Sequence, residues 1–125
     1  KNQIHSFMTE LIACLSSGKG TWIHVKKLVE SENWEKIFLI ASDFGKENFK
    51  TDKEVELIVA DFKEPMPILI EKIKNTLKGR ISGLEIALNL YSGEGKEHMA
   101  ILAALIQLGV GFRLIIAAEE GIKEI

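Results

Sequence analysis

Thr9, Glu10, Leu11, Ile12, Ala13, Cys14 and Leu15, followed by Ser16, Ser17, Gly18, Lys19, Gly20 and Thr21, form the stretch whose reading decides the fold. Two periodicities compete in it. Ile4, Phe7, Met8, Leu11, Ile12 and Leu15 recur at helical spacing, whereas residues 11–15 are a continuous apolar run of the kind a buried strand carries. Downstream sequence favours a strand over 9–15. A helix over 21–33, with Thr21 able to cap it and Trp22, Val25, Leu28 and Val29 on its inner stripe, leads to an apolar run at 36–42. Strand, helix and second strand then make one βαβ unit.

The same alternation continues outward. Ile37, Phe38, Leu39, Ile40 and Ala41 mark a strand over 36–42, and Val55, Leu57, Ile58, Val59 and Ala60 mark another over 54–62, both read as buried. Residues 84–91 and 112–118 repeat the pattern. Runs apolar on both faces suit a parallel sheet covered by helices. Between them, Met66, Leu69, Ile70, Ile73 and Leu77 predict a helix over 65–78, with prolines in its first turn and Gly79 beyond its end. A further helix is predicted over 95–108, with Met99, Leu102, Ala103 and Ile106 as its inward stripe and Gly109 as its cap. The link 43–53 is short for a crossover, which predicts a one-turn helix or an irregular connection. The fold class is therefore α/β: one Rossmann-like three-layer α/β/α domain over 1–125, with a mainly parallel sheet of about five strands.

Composition narrows the function. The chain has 125 residues with 46% apolar and 27% charged residues, an ordinary globular balance. Eighteen acids against sixteen bases give a net charge of −2, which argues against gripping duplex nucleic acid through many phosphates. The longest apolar run, from Met99 to Ile106, is far short of the roughly 18–20 residues of a membrane span, so no membrane partner is expected. One cysteine, Cys14, excludes an internal disulfide framework, and no segment resembles a secretion signal; the cytoplasm is the expected compartment.

In an open parallel sheet, ligands bind beyond the carboxyl ends of the strands where strand order reverses, here between the strand at 9–15 and the strand at 84–91. Two glycine-bearing loops follow those strands: Ser16, Ser17, Gly18, Lys19, Gly20, Thr21, and Ser92, Gly93, Glu94, Gly95, Lys96, Glu97, His98. Glycine permits close backbone approach, and a helix starting there offers free N–H donors to an anion. Neither loop is a dinucleotide fingerprint, because Ile23 and His98 stand where the third glycine belongs. Nor is either a P-loop, since Glu97 follows Lys96 where a magnesium-binding hydroxyl is needed. Glu94 and Glu97 oppose a phosphate unless they turn away. In a rival reading both loops are merely tight turns of a protein-interaction or scaffold domain.

The run Ile86, Ala87, Leu88, Asn89, Leu90, Tyr91, Ser92, Gly93, Glu94, Gly95, Lys96, followed by a helix and a last strand near Phe112, resembles the CRISPR-associated Rossmann fold (CARF) family of nucleotide-sensing domains. Asn89, Ser92 and Lys96 match the family's Asn or Asp, Ser or Thr, and cation. Gly93, Glu94, Gly95 depart from its more frequent Gly-Gly-Thr. The resemblance covers most of the chain. It implies a homodimer that binds a cyclic oligoadenylate or related anionic nucleotide across the subunit interface, usually with a separate effector domain, so that the chain is expected to be a stand-alone sensor in antiviral defence, a ring nuclease that cleaves the messenger without metal, or a fragment of something longer.

The expected ligand-binding residues are Ser17, Gly18, Lys19, Gly20, Thr21, Asn89, Tyr91, Ser92, Gly93, Gly95, Lys96 and His98. For ring cleavage Ser92 and Lys96 are the candidate catalytic groups, orienting a ribose 2′-hydroxyl and stabilising charge. His24 and His98, each one turn into a helix, are within reach of a shared ligand as acid or base. Three histidines and one cysteine without ligand spacing predict no metal site, and no cofactor is expected. Cys14 reads as a small buried hydrophobe. Tyr91 is a better stacking group than Trp22, whose place on the apolar stripe assigns it to the core. Phe44 and Phe49 with Lys46 and Lys50 form either a cover over a site or a packing loop, and Glu119, Glu120 and Glu124 a solvated face.

Overall fold

The computed structural model describes residues 9–15 and 18–125. In chain order the elements are β1 (Glu10–Leu15), α1 (Trp22–Glu30), β2 (Lys36–Ala41), α2 (Asp43–Asn48), β3 (Glu56–Val59), α3 (Met66–Leu77), β4 (Glu85–Asn89), α4 (Gly95–Leu108), β5 (Gly111–Ala118) and β6 (Gly121–Glu124). The stretch that decides the fold is a strand, and every β1 residue is buried. Residues 4–8 of the competing helical stripe lie outside the described residues. The sheet runs β3-β2-β1-β4-β5-β6, with β1 parallel to both β2 and β4. Strand order thus reverses between β1 and β4, the expected switch point, in a Rossmann-like three-layer α/β/α arrangement.

The pleat sends alternate residues to opposite faces. Ile12, Cys14, Phe38, Ile40, Ile86 and Leu88 face α3 and α4, against Leu69, Ile73, Leu77, Ile101 and Leu105. Leu11, Ala13, Leu15, Leu39 and Ala87 face α1, against Trp22, Val25, Leu28 and Val29. The helix α2 joins that second layer, where a side chain at Gly45 would come within 2.9 Å of the Ala41 Cβ. The expected single-turn link is this helix, opened by Ser42, whose hydroxyl accepts the Gly45 N–H. The first helix ends earlier than its pattern predicts because Ser31 Oγ and Trp34 Nε1 both donate to the Leu28 carbonyl.

Three expectations change. The sheet has a sixth strand: β6 turns back antiparallel onto β5 through Glu119 and Glu120, with Gly121 at φ 126°, and buries Ile122. Glu124 is thereby placed in a strand, paired with Arg113, and is not simply a solvated charge. Second, β3 is a half-buried edge strand of four residues, where a longer buried one is expected. Third, the stripe predicted to face inward on α4 does so only in part, with Leu102 packed at the edge of the core. Met99 is 62% and Ile106 67% exposed, Leu102 and Ala103 are half-buried, and Ala100, Ile101, Ala104 and Leu105 fill the core instead. An all-apolar run from 99 to 106 carries no phase, so the choice of face falls to packing.

Glu10 anchors the base of the switch region from the opposite end of β1. Its buried carboxylate accepts the Ser82 N–H at 2.9 Å and the Gly83 N–H at 2.9 Å, tying the start of β4 to β1. Among the described residues, no helix is long and apolar enough to cross a membrane.

Candidate functional site

Beyond the carboxyl ends of β1 and β4 the two glycine-bearing loops meet. Thr21 Oγ1 donates to Ser92 Oγ at 2.5 Å, closing the base of a crevice between the starts of α1 and α4. A cavity of about 480 Å³ opens there, lined by Gly18 and Thr21 from the first loop and by Gly93, Glu94, Lys96 and Glu97 from the second. Phe62 and Lys63 complete its wall from the end of β3. An Asx turn places Lys63, whose N–H donates to Asp61 Oδ1 at 2.9 Å.

The second loop is held by its own chemistry. Gly93 has φ 105°, and an added Cβ would lie 2.9 Å from both Cys14 Sγ and His98 Nε2. His98 Nε2 is 2.8 Å from the Ser92 carbonyl, an acceptor, so this nitrogen carries the proton and donates. Burial, and then the Glu97 charge, push the Cys14 thiol up to about 12, as expected of a buried hydrophobe that stays neutral.

The two helix starts differ in their readiness for an anion. At α4, the buried Glu97 carboxylate accepts the Glu94 N–H at 3.0 Å, so the helix already holds an anion of its own. At α1, among the described residues, no side chain caps the helix and the first turn carries no acid, while the Trp22 N–H donates to the Lys19 carbonyl at 3.1 Å. The first loop therefore brings no acid to the cavity, where Gly18 and Thr21 line one side, and the cations of the lining are Lys63 and Lys96. Glu94 and Glu97 share that lining, and Glu97 spends part of its charge on the backbone.

Of the expected ligand residues, Gly18, Thr21, Gly93 and Lys96 line the cavity together. Ser92 and Asn89 are buried behind it and act through what they hold. Asn89 Nδ2 donates to the Ile115 carbonyl at 2.8 Å and approaches His24 Nε2 at 3.2 Å, while Asn89 Oδ1 accepts the Tyr91 N–H at 3.3 Å. The Tyr91 ring lies on the His24 ring, with centroids 3.8 Å apart and planes 7° apart. Lys19 does not line the cavity; its Nζ stands 5.9 Å from the Phe44 ring centroid. Gly20 and Gly95 flank the cavity without lining it, each with open space where a Cβ would stand. Ser17 lies outside the described residues.

Sequence reasoning missed Lys63, since its place depends on β3 lying two strands from β1. No protein-family model matches the chain, and no curated protein matches it in sequence. Function therefore rests on the geometry of this site.

The Phe44 and Phe49 loop packs. Both rings sit 5.8 Å from Trp22, whose indole is buried in the α1 layer. His24 is the less expected participant. Ala117 donates its N–H to His24 Nε2 at 3.4 Å, and the Asn89 amide N–H points at the same nitrogen. Two donors converging on one nitrogen require its lone pair, so His24 is neutral with its proton on Nδ1. Desolvation, and then the Lys27 charge, hold its pKa below the ordinary histidine value, in agreement.

Proposed function

We propose that this domain binds an anionic nucleotide-type ligand, a cyclic oligoadenylate or a relative of one, in the crevice between the starts of α1 and α4, as a cytoplasmic sensor that pairs with a second copy of itself. The observation that carries the reading is the shared cavity at the switch point, with Gly18 and Thr21 of the first loop in its lining beside the cations Lys63 and Lys96. Its volume of about 480 Å³ lies within the roughly 300–1,000 Å³ of small-molecule sites. The resemblance of the run from Ile86 to Lys96 to the CRISPR-associated Rossmann fold family supports the choice of nucleotide. Pairing is supported by the outward apolar stripe of α4. From 99 to 106 it carries no charge, so two copies meeting there bring no like charges together.

Sensing fits the site better than cleavage. The Ser92 hydroxyl is fully buried against Thr21, which keeps it from a ribose, and its role is to join the two loops. A scaffold role is favoured by one feature, the same α4 stripe, and would leave the cavity unused.

Calorimetric titration of the purified protein with cyclic tetra-adenylate and cyclic hexa-adenylate tests the reading. Saturable binding of at least one ring is expected, weakened about tenfold or more when Lys63 and Lys96 are both changed to Ala. Absence of binding to either ring, or unchanged affinity in the double variant, contradicts it.

A further inference from the structure

We infer that Tyr91, backed by His24, is the platform on which the base of the bound nucleotide stacks; this rests on the crevice reading above and adds to it the part of the ligand that lies outside the cavity. One face of the Tyr91 ring is covered by His24 in a parallel stack, yet the residue is still 57% exposed, which leaves its other face to solvent. An exposed tyrosine on a loop ordinarily samples several rotamers. This one is fixed from below. His24 is pinned through Nε2 by the Ala117 N–H and the buried Asn89 amide, and Asn89 also holds the Tyr91 backbone. The ring pair is thus tied to the ends of β4 and β5.

The platform adjoins the cavity. Tyr91 directly precedes Ser92, His24 stands one helical turn beyond Thr21, and Thr21 and Ser92 are bonded at the cavity's base. Neither ring lines the cavity itself; in the proposed pose the phosphate lies between Thr21 and Lys96 and the base reaches past Thr21 and Ser92 to Tyr91. A ring already held flat loses little freedom when a second planar group settles on it, so most of the stacking energy appears as affinity. The platform reads flatness and offers no hydrogen bonds of its own to the base edge, which selects for a nucleobase of any identity over a sugar phosphate without one.

Calorimetry with two probes, adenosine 5′-monophosphate and ribose 5-phosphate, tests this on wild type, Tyr91→Phe and Tyr91→Ala. Wild type and Tyr91→Phe are expected to bind the nucleotide at least about fivefold more tightly than the sugar phosphate. Tyr91→Ala is expected to lose that preference while keeping its affinity for ribose 5-phosphate. Equal wild-type affinities for the two probes, or a Tyr91→Ala variant that keeps the preference or loses both ligands together, would overturn the platform and leave the crevice standing. Failure of both probes to bind wild type would overturn the crevice and the platform alike.

Discussion

Thr21 and Ser92, 71 residues apart in sequence, share a hydrogen bond of 2.5 Å between hydroxyl groups. Thr21 opens α1 on one face of the sheet, and Ser92 precedes α4 on the other. Their bond joins the two loops across the switch point at Thr21, which lines the cavity. The geometry of the site follows from this pairing, because β1 and β4 are neighbours and their connections leave toward opposite layers.

The contribution of that link is measurable. Thr21→Val and Ser92→Ala should each lower unfolding stability by about 0.5–1.5 kcal/mol in urea titrations. The double variant should lose clearly less than the two single losses added together, since each single change already removes the bond the two share. Full additivity would mean that the hydroxyls do not interact.

Gly93 should be the least replaceable glycine of the site. At φ 105°, with Cys14 Sγ and His98 Nε2 each 2.9 Å from an added Cβ, Gly93→Ala combines backbone strain with a clash. We expect a loss of about 2 kcal/mol or more. Gly18→Ala and Gly95→Ala, which meet nothing within 4 Å, should stay within about 1 kcal/mol of wild type. Thermal unfolding of the three variants separates these outcomes.

His24 sets a pH dependence of known sign. Its pKa is lowered in the folded state, so folding favours the neutral ring. The stability it contributes is fully present above the ordinary histidine value of about 6.5 and declines as pH falls through the lower folded value. Protonation would also turn Nε2 from acceptor to donor against the Asn89 and Ala117 N–H groups. The stability difference between wild type and His24→Gln should therefore shrink from pH 7 to pH 5. A difference that grows on acidification would mean that the charged ring is the favoured form.

The orientation of α4 divides its apolar residues into two classes. Ile101→Ala, in the core, should cost about 2–5 kcal/mol, and Ile106→Ala, facing outward, less than about 1 kcal/mol in the monomer. On the proposed pairing through α4, wild type should be a dimer in light-scattering measurements and Ile106→Glu a monomer with an intact circular dichroism spectrum; a monomeric wild type would contradict that pairing. Comparable losses at positions 101 and 106 would show that the helix is rotated from the orientation described.

The alternation of apolar runs and helical stripes made most of this fold legible, and the βαβ argument placed 9–15 in a strand where local periodicity was divided. What sequence could not convey was phase and partnership. Residues 99–106 are apolar on every side, so nothing in their spacing distinguishes Ile101 from Ile106. The last strand was hidden in four residues whose charges, Lys123 and Glu124, resemble a solvated tail until Arg113 is seen beside them. At the site, both loops and Tyr91 were visible as glycines and an aromatic at strand ends. The burial of Ser92, the turning of Lys19 toward Phe44 and the arrival of Lys63 from β3 depend on strand order and on contacts that no spacing encodes.

The central claim is that two turns distant in sequence form one anion site. Backbone amide NMR during titration with cyclic tetra-adenylate and with cyclic hexa-adenylate tests it most directly. For at least one ring, the signals of Gly18 and Thr21 and those of Gly93 and Lys96 should move together along a single binding curve. Movement at one turn alone, or at neither turn with both rings, would contradict the account.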